Sequence, residues 1–239
     1  MKFYLKTESD MGRIKRRTNS FILLFLIIIC SFACRTDFPI IVQRSDKANS
    51  SAANSTIEKP KLAAVASAEI RRMLENAVRQ TEITKTYNPE YVVIQYPNGD
   101  VAPEKGVCTD VVIRAFRTAG VDLQKEVHED MAKHFGVYPK KWNLTKPDTN
   151  IDHRRVPNLQ TFFARKGKSL LITPAGENFK PGDVSAWDLD GKGLTHIGLV
   201  SNSWNEKTGR YSIIHNIGGG AKLEDRLFEW KITGHYRYF

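Results

Sequence analysis

Cys108, His196 and His215 are the residues whose types and positions could together do covalent chemistry. Cys108 is the only cysteine outside the N-terminal apolar stretch. The residues before it, with Pro97, Asn98, Gly99, Pro103 and Gly106, read as loop. Those after it read as helix, because Val111, Val112, Ala115, Phe116 and Ala119 share one face and Gly120 is placed to end the run. A cysteine at a helix start meets unpaired N–H groups and the positive end of the helix dipole, which favour a thiolate. The competing reading is a small buried residue that fills the contact between helix and core.

The two histidines fall in consecutive β-prone runs, THIGLVS and YSIIHNI. If Val200 pairs with Tyr211 across the hairpin, Gly198 opposes Ile213 and His196 opposes His215. Opposed side chains sit about 4.5–5.5 Å apart at Cβ, so the rings could share a hydrogen bond and one could fix the other's tautomer. A slip of one residue would bring Asn216 to His196 instead, and its amide oxygen could do the same. Two polar residues on an exposed sheet face is the alternative to both. With Cys108 as nucleophile, His196 as base and His215 or Asn216 as orienter, the set suits attack on a carbonyl. The backbone N–H of Cys108 and the hydroxyl of Tyr96 are candidate oxyanion donors, Tyr96 otherwise serving the core. Arg154 and Arg155 could clamp substrate carboxylates or form surface ion pairs. Trp187 could line the same groove or pack in the core. His128 and His153 read as structural. A zinc site from Cys108, His196 and His215 would lack an obvious fourth ligand, so no metal and no other cofactor is expected.

The elements that must position these residues follow an order of helices first and strands later, which makes the class α+β. A helix is expected from Leu62 to about Thr81, a short strand over Tyr91–Tyr96, the Cys108 helix, and a further helix from Asp122 to about Phe135. Residues 136–157 are an ordered excursion, and Pro157–Gly167 is a short helix. Strands are expected over Val184–Leu189, Thr195–Ser201, Tyr211–Ile217 and the tail from Ile232. Their short connections predict an antiparallel meander.

Ahead of this domain, placed at 61–239, Arg13, Lys15, Arg16 and Arg17 precede the apolar run Phe21–Ile29. That run is short of the roughly 20 apolar residues a membrane span needs and reads as an export signal over residues 1–34. Ser31 and Ala33 suit cleavage before Cys34, which could then carry a lipid; a retained signal anchor is the other possibility. Residues 35–60, of which 43–60 are Ser/Ala/Asn-rich, read as a flexible linker. The expected location is periplasmic, either free or held to the membrane by a lipid anchor at Cys34. An unpaired Cys108 in an oxidising compartment favours a reactive role.

The net charge is +10, and residues 1–60, with ten Lys/Arg against five Asp/Glu, hold half of it. The folded part has neither a basic run nor a nucleic-acid-binding motif, so no nucleic-acid partner is expected. An anionic wall polymer or lipid surface fits the charge. Hydrophobic content of 41% and charged content of 26% are ordinary for a globular domain.

The segments GVCTDVV, KPGDVSAWDL, THIGLVS and YSIIHNIG resemble the NlpC-type, papain-like cell-wall peptidases. PNLQTFFARKG, IDHRRVPNL, HNIGGG and ITGHYRY resemble, more closely, a bacterial family that carries only the label of a domain of unknown function and is usually grouped with that superfamily. This closer resemblance covers about Leu62–Phe239. It implies a papain-like fold with an N-terminal helical part and a C-terminal antiparallel sheet. It also implies cleavage of amide bonds in peptidoglycan stem peptides, often between γ-D-Glu and the diamino acid. Cys108, His196 and His215 match the nucleophile, base and third polar residue. The superfamily usually has Asp-Cys-Ser-Gly at the nucleophile, whereas this chain has Val107-Cys108-Thr109-Asp110, a departure that bears on specificity more than on mechanism. The expected function is therefore an exported cysteine hydrolase of peptidoglycan peptides. A non-catalytic wall-binding module of the same fold and a thiol acyltransferase are the alternatives.

Overall fold

The computed structural model of the protein describes residues 61–65 and 67–239. The expected signal, linker and Cys34 anchor lie outside the described residues. The chain enters through β1 (Lys61–Leu62). The Ser67 hydroxyl then accepts from the Ile70 N–H and starts helix α1 (Ala68–Ile83). The helix thus begins six residues later than its apolar spacing predicts, because Leu62 belongs to a strand and the capping side chain is Ser67. Met73, Leu74, Ala77 and Gln80 face inward from it.

Two-residue strands β2 (Thr86–Tyr87) and β3 (Lys105–Gly106) pair in parallel and flank a long irregular stretch. The strand expected over Tyr91–Tyr96 does not form. Val92 and Val93 are exposed there, and β propensity reflects packing on a sheet neighbour that this stretch lacks. Helix α2 (Cys108–Thr118) follows, with every residue from Cys108 to Phe116 buried. Gly120 ends it in the left-handed conformation (φ +88°). Helix α3 (Leu123–His134) is capped by Asp122, and α4 (Val156–Arg165) carries Pro157 in its first turn. The excursion between them is ordered and includes a 3₁₀ turn at Asp152–Arg154.

The remaining strands are β4 (Val184–Asp188), β5 (Thr195–Asn205), β6 (Arg210–Asn216), β7 (Ala221–Glu224) and β8 (Lys231–Tyr236). They form an antiparallel sheet in the order β7-β6-β5-β4-β8, with β1 added beside the far end of β5. The protein is thus α+β, with helices preceding a C-terminal antiparallel sheet. The meander is incomplete, however: β8 crosses back to pair with β4, and β7 is a strand the sequence reading omitted. Alternation gives the sheet two faces. Val184, Ala186, Ile197, Leu199 and Ile214 join α2, α4 and Cys108 in the main core. Trp187, Val200 and Ile213 join Phe179 and Leu227 in a second cluster.

Candidate functional site

The start of α2 is held from three sides. The Asp110 carboxylate accepts from the Val107 N–H (2.6 Å) and caps the helix. Arg154 closes on the same carboxylate with Nε and Nη2 at 2.9 and 3.0 Å. Gly106 O, two residues before Cys108, accepts from the Asn88 N–H and from the Asn216 amide, each at 3.0 Å. The β2–β3 bridge sets Tyr87 against Gly106 and so brings its phenol to the sulfur.

The Cys108 thiol is free and only 4% exposed. The backbone N–H groups of Ile197, Thr109 and Cys108 itself lie near enough to lower its proton affinity, and the Tyr87 phenol is a further neighbour. The Ile197 contact has a structural origin. Val200 N donates to Asp183 O on the β4 side, so along β5 the N–H of Ile197 faces β6. The β5–β6 pairing stops at Leu199–Ile214, short of Ile197. Burial nevertheless dominates, lifting the thiol from 9.0 to about 12 against the opposing pull of those N–H groups. The helix terminus therefore does not make a resting thiolate, contrary to the expectation from its dipole. The Tyr87 phenol is likewise pushed to about 12, by burial first and then by Cys108.

The histidines meet by a register other than the expected one. Val200 pairs with Ile213, and Trp204 pairs with Tyr211, so Ser201, Asn202 and Ser203 lie opposite Ser212 alone. This irregularity moves the register by two residues, which preserves the face of each side chain. His215 consequently faces Gly198, and His196 reaches it diagonally. A Cβ on Gly198 would lie 3.0 Å from that of His215, so the missing side chain makes room for the ring. His196 Nε2 and His215 Nδ1 share a hydrogen bond of 2.8 Å, and His215 Nε2 meets Glu224 Oε2 at 3.0 Å. Trp187 and Trp230 pack on the His196 ring at 5.8 and 5.9 Å. Burial, then the neighbouring His215, pushes His196 down to about 3. His215 is also lowered by burial, with Glu224 pulling the other way.

Among the described residues, the thiol makes no hydrogen bond to either ring, and His196 Nδ1 makes none at all. The imidazoles lie on the sheet face of Trp187, Val200 and Ile213, whereas Cys108 packs in the core on the α2 face.

The other sequence candidates are placed elsewhere. Tyr96 packs edge-on against His128 on α3. Asn216 supports the loop before Cys108 rather than His196. Arg154 is buried and engaged by Asp110 and by the carbonyls of Asn88 and Glu90, so it is not free for a substrate carboxylate. Arg155 pairs with Asp152 (3.1 Å) and stacks over Trp142. Trp187 is fully buried, donates its indole N–H to Leu227 O, and backs His196 instead of lining a groove. Sequence reasoning missed Tyr87 and Glu224. Tyr87 left no readable signal in a two-residue strand. Glu224 did leave one: reading AKLE as a strand after the glycine turn places it on the His215 face.

A family model described as a domain of unknown function, DUF1287, matches residues 74–238. The chain belongs to that family. The matched span of this DUF1287 chain contains Tyr87, Cys108, His196, His215 and Glu224. The chain is also similar to the uncharacterised protein YijF of Escherichia coli (strain K12), with 53% identity over 165 residues, 69% of this chain and 80% of YijF.

Proposed function

We propose that this DUF1287 chain is an exported cysteine hydrolase of papain-like, NlpC type that cleaves amide bonds in peptidoglycan stem peptides. The observation that carries the reading is the pairing of two features on β5. Cys108 has the N–H of Ile197 among the groups that lower its proton affinity, and the adjacent His196 has Nε2 held by His215 while, among the described residues, Nδ1, the nitrogen nearer its own backbone, has no hydrogen bond. In this mechanism Nδ1 takes the thiol proton as sulfur bonds to the substrate carbonyl carbon. The carbonyl oxygen becomes an oxyanion, for which the Tyr87 hydroxyl and the N–H groups at the start of α2 are the available donors. Collapse breaks the C–N bond, and the proton on His196 passes to the departing amine. Water, deprotonated by the same nitrogen, then hydrolyses the thioester and returns the thiol. Burial and the protonated resting thiol make this a neutral Cys–His pair that moves its proton only with substrate bound.

The test is mass spectrometry of purified muropeptides after incubation with the full chain. Cleavage products from the wild type, absent with Cys108→Ala and His196→Ala, are expected. Equal product from Cys108→Ala would overturn the assignment.

The burial of Cys108, with its pKa near 12, favours a second reading, a non-catalytic wall-binding module. That module would bind sacculi with no cleavage and leave Cys108 unlabelled by iodoacetamide at pH 7, with or without muropeptide. In the hydrolase, muropeptide changes the rate of labelling.

A further inference from the structure

We infer that Glu224 is a positioning residue that fixes the tautomer of His196 through His215, and that a second proton on His215 switches the base off. The inference rests on His196 acting as the base. A carboxylate only accepts hydrogen bonds. Glu224 Oε2, 3.0 Å from His215 Nε2, therefore requires a proton on that nitrogen. Neutral His215 then has a lone pair on Nδ1. Nδ1 lies 2.8 Å from His196 Nε2, so the proton between them belongs to His196 Nε2. Neutral His196 is left with its lone pair on Nδ1, the nitrogen that must receive the thiol proton. One carboxylate thus sets two tautomers in series.

The same chain fails when His215 is doubly protonated. Its Nδ1–H must then donate to His196 Nε2, so neutral His196 has to carry its proton on Nδ1 and can accept nothing from sulfur. Several groups bear on His215. Glu224 and Lys222 come from β7, with Lys222 its register partner. Arg226 and Glu229 lie beyond β7, His196 is on β5, and the Trp230 ring packs at 6.0 Å. Arg226 also binds Glu224 (3.2 Å). Burial and Arg226 keep His215 neutral at neutral pH, whereas Glu224 raises its affinity for a proton. Glu224 therefore has two opposed effects: it selects the working tautomer, and it moves the acid limb upward.

The experiment combines ¹⁵N NMR of histidine-labelled full chain with muropeptide kinetics, using Glu224→Leu and Glu224→Gln. Wild type at pH 7.5 should show His196 protonated at Nε2 alone. Glu224→Leu should show mixed tautomers at both rings and a kcat lower on the order of 10²-fold with KM little changed. Its acid limb should lie at lower pH than in the wild type. Glu224→Gln, which keeps an acceptor oxygen, should recover part of the rate and also serves if Glu224→Leu fails to fold. A wild-type His196 protonated at Nδ1 would overturn the inference, as would tautomers and an acid limb unchanged in both variants. The NMR result needs no turnover, so it separates this inference from the hydrolase reading, which fails independently if Cys108→Ala matches wild type.

Discussion

Arg154 shows how residue type and residue partner can part company. A guanidinium near a candidate thiol nucleophile is a natural clamp for a substrate carboxylate, yet its fork is filled by Asp110 and two backbone carbonyls. The side chains of the pair are 2% and 4% exposed, so each charge depends on the other. Asp110 also caps α2 through Val107, which makes this pair the mount for Cys108. Removing one partner of a buried pair typically costs 3–5 kcal/mol. Arg154→Ala should therefore lower unfolding free energy by about 3–5 kcal/mol in urea titration. Arg154→Lys should recover little of it, since an ammonium cannot span a carboxylate and two carbonyls at once. A fully stable Arg154→Ala protein with a raised KM for muropeptides would restore the substrate clamp instead. His153, beside it, is buried with a pKa near 3, by burial first and then by Arg154, consistent with a structural residue.

At the scale of elements, the site depends on where strands part. β6 leaves β5 beyond Leu199–Ile214, and Gly198 holds open the space into which the His215 ring fits. A Cβ at 198 would stand 2.9 Å from Ile214 O as well as 3.0 Å from His215 Cβ, and one of those contacts belongs to backbone. Gly198→Ala should cost about 1–3 kcal/mol, as overpacking does, and should break the imidazole pair. The measurement is the His196–His215 coupling by NMR together with the urea midpoint; an unchanged pair would show that the hairpin shifts to absorb the methyl.

The sequence made α2, α3 and α4 readable because their signals are local: Gly120, Asp122 and Pro157 act within one turn of the ends they set. Register was less readable. The irregularity between Val200 and Trp204 is set by how β1, β4 and β6 all use β5, and no short window contains that. Its two-residue offset nevertheless left both histidines on one face, so their meeting could be anticipated even though their pairing could not. Tyr91–Tyr96 misled for the converse reason: strand-forming residue types without a neighbouring strand. β7 escaped because two of its four residues are charged.

Across the whole molecule, the fold excludes protons from three imidazoles at once. His153 and His196 are both pushed to about 3 by burial, and His215 is lowered by burial despite Glu224. Each binds its proton in the unfolded chain near its ordinary 6.5 and not in the folded one. The stability this confers is complete above that value and drains away as pH falls toward the folded-state values. Between their two values His153 and His196 each give a slope of about 1.4 kcal/mol per pH unit, to which His215 adds in the same direction. Asp183 adds to the acid loss at lower pH: although burial opposes it, hydrogen bonds from His235 and Arg237 hold its carboxyl below 3.8. Its share is present above 3.8 and lost below. With three histidines acting together, the urea midpoint should be flat from pH 8 to 7 and fall steeply from about 6.5. Against a total of roughly 5–15 kcal/mol, that slope would unfold the domain within a few pH units. His153→Gln lies outside the proposed site and should make the acid slope shallower by about 1.4 kcal/mol per pH unit without moving the acid limb of the proposed hydrolysis. A midpoint that stays level from pH 7 to 4.5 would mean that these rings are protonated or solvated in the folded state, and the neutral His215 on which the tautomer relay depends would be lost with it.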